Sequence, residues 1–320
     1  MPPNKARPIM PDTTPAARAA RHDAIFEGLC FSAAMVLMAT LVGLLVSLVI
    51  GGWPALSHFG WRFFISAAWN PVTNDYGAAG PVVGTLATAA LAMAMALPLA
   101  IGIAVFLVEF CPKRLAYGVS MAVELLAGIP SIVYGMWGLF VLAPWFAEHV
   151  QVPLLMAFDP DSFWGKVFDG IPNGANIFTA SMILAIMVLP YIATVFRELL
   201  LTVPPYVREA AYGMGCTPFE VVSKIMIPYV RRSAIGAVML GLGRALGETM
   251  AVTFIIGNSH TFPNSLFASG STIASTIANE FTEATDDLHI SALILLGLVL
   301  FLITFAALGA ARLLIGKEPA

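Results

Sequence analysis

The chain has 320 residues, of which 59% are hydrophobic and 11% charged, with a formal net charge of −3 and a mean hydropathy of +0.86. Soluble domains are roughly 45–50% apolar and about 25% charged, so this composition excludes a water-soluble globule. It leaves an integral membrane protein with length for about six spans and modest loops, and the lack of a basic patch with interleaved aromatics argues against nucleic-acid binding.

Residues 1–25 carry Lys5, Arg7, Arg18 and Arg21 among prolines and alanines and read as a flexible tail. No charge then occurs from Gly28 to Gly52. A secretory signal has an apolar run of only about 7–15 residues, so this longer run reads as an uncleaved first span. Stretches able to cross a ~30 Å hydrocarbon core fall near 27–51, 81–108, 117–144, 175–200, 233–257 and 289–315. Each is expected to be helical, because lipid offers no partner to an unpaired backbone group. The predicted fold is an all-α membrane protein with six transmembrane helices, comprising a tail (1–25), a transmembrane domain (26–316) and a short end (317–320).

With the N-terminus in the cytoplasm, 13 of the 16 lysines and arginines lie inside, leaving Arg62 and Lys166 outside and Arg244 within a span. The outer loops hold most of the loop acids, including Asp159, Asp161, Asp169, Glu280, Glu283, Asp286 and Asp287. This is the positive-inside pattern, and it puts both termini in the cytoplasm. The outer loops at 52–80 and 145–174 are rich in aromatics, glycine and proline. The third, 258–288, contains "GSTIASTIANEF", a predicted surface helix that either docks an extracytoplasmic partner or caps the bundle.

Between spans four and five, residues 201–231 interrupt the apolar chain with "REAAYGMGCTPFEVVSKIMIP". Pro204 and Pro205 suit a helix start. Val207, Ala210, Ala211 and Met214 follow the spacing of one apolar helix face, and Gly215 suits the left-handed residue that ends a helix. Thr217, Pro218 and Glu220 form a capping-box pattern for a second helix, in which Glu220 and Lys224 are an i, i+4 pair. Two short helices joined at a glycine, with small Ala210 and Ala211 exposed, suit either a docking surface for a cytoplasmic protein or a hairpin resting on lipid headgroups.

Arg244 lies midway along span five, where an ionisable side chain usually faces the bundle interior or a watery path. Glu248 follows one turn later on the predicted helix, so the two form either a structural ion bridge or part of a pathway. Gly241, Gly243 and Gly247 around them suit close packing of spans. In span three, Pro130 of "GIPS" removes a backbone donor and is expected to kink the helix beside Ser131. Pro98 and Pro190 mark further possible bends.

The order Glu209-Ala210-Ala211, three residues, Gly215, nine residues, Ile225, two residues, Pro228 resembles the EAA-x3-G-x9-I-x-x-P loop of permease subunits in bacterial ATP-binding-cassette importers. The resemblance implies that this loop is a coupling helix seated in a cleft of an ATPase subunit. "ELLAGIPSIVYGMWGLFVLAP" (124–144), "GLGRALGETMAVTFIIGN" (241–258), "WNP" (69–71) and "TIANEF" (276–281) further resemble PstC-type permeases of the phosphate-specific importer, over roughly residues 25–315. That resemblance implies a heterodimer with a PstA-type permease, a PstB-type ATPase dimer and a periplasmic phosphate-binding protein, in contact with membrane lipid. For a phosphate substrate, the pathway reading of the residues themselves has Arg244 offering bidentate hydrogen bonds to the passing anion, steadied by Glu248, with the groups freed at Pro130 lining the path beside Ser131 or forming only a packing kink.

The chain has no G-x-x-x-x-G-K-[ST] phosphate loop, so ATP hydrolysis is expected in a partner and no cofactor here. Cys30, Cys111 and Cys216, like the five scattered histidines, show no metal-ligand spacing. The same architecture serving molybdate, sulfate or a phosphonate remains an alternative. A gradient-driven transporter would not need the 209–228 loop, and a membrane enzyme lacks any H-E-x-x-H or G-x-S-x-G motif.

Overall fold

Six helices in the computed structural model, which describes residues 15–316, are long and apolar enough to cross a membrane. The expected tail (residues 1–14) and C-terminal end (317–320) lie outside the described residues. The chain divides into two units, residues 1–50 and 51–320. Helix α1 (Pro15–Phe59) crosses that division, so residues 15–25, expected as tail, are already helical. In the first unit the side chains of residues 22–44 are all exposed, and most are apolar, as a lipid-facing helix requires.

The second unit is built around α3 (Ala79–Phe110) and α7 (Ile177–Leu201), which pack along each other. Helix α3 presents Gly84, Thr88, Ala92, Ala96, Ala100 and Ala104, a four-residue repeat of small buried side chains that lets the axes approach. At its start α3 also meets the segment before the 273–280 helix: a Cβ on Gly84 would lie 2.0 Å from the Ser271 carbonyl oxygen. Of the six spans, α7 is the most enclosed, with 67% of its most apolar stretch buried.

Before α3, a short helix α2 (Arg62–Ile65) precedes a two-residue hairpin, β1 (Trp69–Asn70) paired antiparallel with β2 (Asp75–Tyr76). The hairpin is a small addition to the all-α expectation. Helices α4 (Lys113–Ala127) and α5 (Ser131–Ala157) occupy the region where one span was expected at 117–144. Pro130 does more than kink that helix. It stands outside helical geometry at ψ 137°, and Gly128 has already closed α4, so the chain breaks completely and the span starts at Ser131. By contrast, Pro98 and Pro190 lie within uninterrupted helices.

The span reaches Ala157, so residues 145–157, expected as outer loop, are helical. After α6 (Phe163–Val167) and α7 come α8 (Pro205–Gly213), α9 (Pro218–Leu246), α10 (Met250–Thr253), α11 (Ile273–Glu280) and α12 (Asp287–Gly316).

Four widened turns share one cause. The π-helical segments Phe106–Phe110, Gly138–Leu142, Ala147–Gln151 and Val221–Met226 each end two residues before a proline: Pro112, Pro144, Pro153 and Pro228. Proline has no N–H for the carbonyl four residues back, and its ring crowds that carbonyl. A five-residue bond from the preceding N–H, as from Ile227 to Val222, relieves the conflict and carries a helix past proline at Pro144, Pro153 and Pro228.

Pro54 in α1 is accommodated differently. Ser291 Oγ of α12 donates to the Gly51 carbonyl at 2.8 Å and accepts from the Ala55 N–H at 2.9 Å, bridging the pair whose helical bond it replaces. Gly51 and Gly52 make room, since a Cβ on either would meet Ile294 or Leu295 at 3.0–3.1 Å. Ser291→Ala would strand the buried Ala55 N–H and the half-buried Gly51 carbonyl. It is expected to cost about 1–3 kcal/mol, seen as a lower unfolding midpoint of the purified protein.

Helix α11 has its first four residues buried, and the Thr272–Ser275 capping box fixes its start. Of the "TIANEF" segment, Thr276 is buried with that first turn, whereas Ala278, Asn279 and Phe281 are exposed. At the end of α11, Glu280 accepts from His260 Nε2 at 3.1 Å and from His289 Nε2 at 3.0 Å. Trp69 stacks on His260 and Tyr76 on His289, joining the hairpin to α12. Burial pushes His260 below its ordinary value, with Glu280 opposing the shift.

Candidate functional site

Two places gather the residues singled out in the sequence. The first is where two helix breaks meet. Helix α9 stops at Leu246, and Gly247 (φ −93°, ψ 0°) leaves helical geometry. Helix α10 then starts at Met250 and packs against the first turns of α5, which themselves follow the Pro130 break. Gly135 permits the contact: a Cβ there would lie 3.0 Å from Ala251 Cα and 3.2 Å from the Met250 carbonyl oxygen. Tyr134, buried, donates its hydroxyl to the Leu126 carbonyl at 2.8 Å and so ties α5 back to α4 across the break.

Arg244 is exposed in the last turn of α9, with its guanidinium 5.9 Å from the centroid of the Tyr191 ring on α7. Its charge also acts on Tyr134. The expected pairing with Glu248 is absent. Because α9 ends at Leu246, position 248 is no longer one turn along the same face, and the Glu248 carboxylate instead accepts the Ala251 N–H at 3.1 Å, at the start of α10. No ion pair joins Arg244 to a carboxylate among the described residues. Ser131 is half-buried at the first position of α5, with Pro130 exposed before it. Sequence reasoning missed Tyr134 and Tyr191, which carry no motif and are brought to Arg244 only by packing.

Of the nearby glycines, Gly241 packs tightly, with a would-be Cβ 2.7 Å from Ile192, whereas Gly243 meets Leu308 only at ordinary contact distance. A separate groove of about 660 Å³ runs between α7, α9 and α12, lined by Leu199, Gly236, Leu240, Phe305 and Arg312 among others. It is mainly apolar and none of the residues around Arg244 lines it.

The second place is the 201–231 loop. Pro204 and Pro205 open α8, Gly215 adopts φ +85° after it, and the Thr217–Glu220 capping box starts the next helix, with Lys224 Nζ donating to Glu220 at 2.9 Å. The second helix is not short, however. It runs without interruption from Pro218 to Leu246, so the loop and span five are one rod and the expected span start at 233 is displaced. The widened turn before Pro228 allows this, and it contains half-buried Ile225.

The two alanines also separate. Ala210 is exposed beside exposed Glu209, but Ala211 is 1% exposed and belongs to the apolar core. Met214, Tyr206 and Phe219 are each more than 70% exposed, forming an apolar surface uncovered in the isolated chain.

A buried carboxylate, unnoticed in the sequence, holds this loop. Glu109, in the π-helical turn at the end of α3, accepts from Arg208 Nη2 and from the Tyr212 hydroxyl, both on α8. Its side chain is 6% exposed.

The family described as "Binding-protein-dependent transport system inner membrane component" matches residues 96–317. A relative from Mesorhizobium japonicum, named phosphate transport system permease protein PstC, is 50% identical over 303 residues, covering 95% of this chain and 93% of the relative. One of the same name from Haemophilus influenzae is 49% identical, covering 89% and 90%. Among solved structures, a bacterial alginate ABC transporter in complex with an alginate-bound periplasmic protein has a chain with TM-score 0.60 at 14% identity, covering 95% of this chain and 99% of that one. At that identity the likeness concerns the fold.

Proposed function

Because this chain belongs to the family of binding-protein-dependent transport inner-membrane components, we propose that it is the permease subunit of an ATP-driven phosphate importer in which Arg244 meets the anion. It is a multi-pass inner-membrane transport subunit and not an enzyme. Its partners are those of an ABC importer: a permease, an ATPase and a binding protein. We assign them as a PstA-type permease, a PstB-type ATPase dimer and a periplasmic phosphate-binding protein. The charge asymmetry of the loops supports cytoplasmic termini and a cytoplasmic 201–231 loop.

The substrate rests on one observation, the near-half identity to phosphate permeases along almost the whole chain. The geometry is compatible with it. An arginine without a carboxylate partner is costly inside a membrane protein, and an arriving oxyanion supplies the missing charge through two parallel hydrogen bonds. The first N–H groups of α5, at Ser131 and Ile132, carry partial positive charge of the sort that broken helices offer to anions. Glu248, engaged with α10, leaves the guanidinium free. A single arginine in an open site binds weakly enough for release, as a conduction path requires.

Glu209, Ala210, Gly215, Ile225 and Pro228 make the coupling element in this reading. Ala211 anchors it from beneath. Movement of the ATPase against α8 passes into α9, the same rod that carries Arg244.

The test is uptake of labelled phosphate at low concentration in cells lacking their own high-affinity importer, with this chain co-expressed with its partners. Uptake should require an active ATPase and resist excess sulfate, molybdate and phosphonate. Strong block by one of those anions would replace phosphate as substrate, and uptake surviving ATPase inactivation would replace the importer reading.

A further inference from the structure

Helix α8 is seated between two widened helical turns. On one side it packs on Val221–Met226 of α9. On the other it is held by Glu109 in Phe106–Phe110 of α3, where Cys111 N–H reaches back five residues to the Phe106 carbonyl at 2.9 Å. The extra residue in that turn re-aims Glu109 relative to a regular helix. The result is that Arg208 and Tyr212, 99 and 103 residues beyond Glu109 and one turn apart on α8, converge on the two oxygens of its carboxylate.

We infer that Glu109 is a positioning residue for coupling, fastening α8 to the end of α3 so that the two move as one body when the ATPase moves. This rests on the reading of α8 as the coupling helix. An exposed ion pair would be too weak for the task, typically ~0–1 kcal/mol. Glu109 is nearly enclosed, and two donors satisfy both its oxygens, so the link is both strong and directional.

Tyr212 remains a donor across the physiological range. Burial, then the hydrogen bond to Glu109 and its charge, push the phenol up to about 12. Arg208 depends on the same carboxylate, since its Nε is buried without a partner. Helix α3 packs along α7 over its length, so motion received at Glu109 enters the centre of the bundle. Helix α9 receives it in parallel through the continuous rod toward Arg244.

The experiment uses the assembled importer in proteoliposomes, comparing the native chain with Glu109→Gln, which is nearly isosteric, and Tyr212→Phe, which drops a single donor. Purified variants should retain the ATPase subunit and hydrolyse ATP, while phosphate carried per ATP hydrolysed falls about tenfold for Glu109→Gln and less for Tyr212→Phe. A purely structural role would lower the amount of complex without changing that ratio. An unchanged ratio in both variants would overturn the inference.

A second readout needs no phosphate. Spin labels at Tyr206 and Phe106, both exposed, in a background without the native cysteines report the α8–α3 distance. The distance should stay fixed between nucleotide-free and vanadate-trapped states in the native network and spread in Glu109→Gln. Equal spread in both would overturn the link. If the native complex hydrolyses ATP without moving phosphate, the functional reading fails, and the distance measurement still decides the role of Glu109.

Discussion

Replacing Arg244 by alanine should abolish high-affinity phosphate uptake, with a fall of at least ~100-fold, while the chain still inserts and assembles with its partners. Hydrogen bonds to a charged group contribute roughly 1.5–3 kcal/mol each, and a bidentate guanidinium makes two. Insertion should be unaffected because Arg244 bonds no carboxylate here and its ring contact with Tyr191, at 5.9 Å, is weak. Arg244→Lys keeps the charge and loses the planar fork, so an intermediate loss of about tenfold is expected. Initial uptake rates over a range of phosphate concentrations, with complex quantified in the same membranes, make the measurement. Full uptake by the alanine variant would remove Arg244 from the pathway. A loss matched by loss of protein would make it a structural residue.

The second large effect separates two adjacent alanines. Ala211→Asp places a carboxylate at a position that is 1% exposed within the apolar core. An uncompensated buried charge costs several kcal/mol, comparable with a net stability of about 5–15 kcal/mol. The expected result is loss of folded protein from the membrane. Ala210→Asp, on the exposed side of the same helix, should leave the amount and the unfolding midpoint unchanged and sharply reduce co-purification of the ATPase. Normal expression of Ala211→Asp would contradict its buried position. Full ATPase retention by Ala210→Asp would take that face out of the docking surface.

These pairs show which features sequence spacing carries. The capping box at Thr217–Glu220, the left-handed Gly215 and the proline start of α8 are local, decided within four residues by backbone hydrogen bonding, and all are present. The π turns before prolines do not show in a 3.6-residue apolar periodicity, although the proline itself is their signal. The α9 end at Leu246 is hidden in the sequence for another reason. A glycine inside an apolar run reads equally as a packing residue or a terminus, and only the approach of α10 to α5 decides between them.

The sequence alone determined that the chain lives in a membrane, that it crosses about six times and that the 209–228 loop is punctuated by helix caps, because these follow from solvent transfer and short-range bonding. Tertiary structure decided which small residues are anchors and which are exposed, that Glu248 serves α10 instead of Arg244, and that Glu109 grips Arg208 and Tyr212. Those outcomes depend on where distant helices cross, and in lipid the crossing is set by packing and buried hydrogen bonds, with no hydrophobic pattern to write it into the chain.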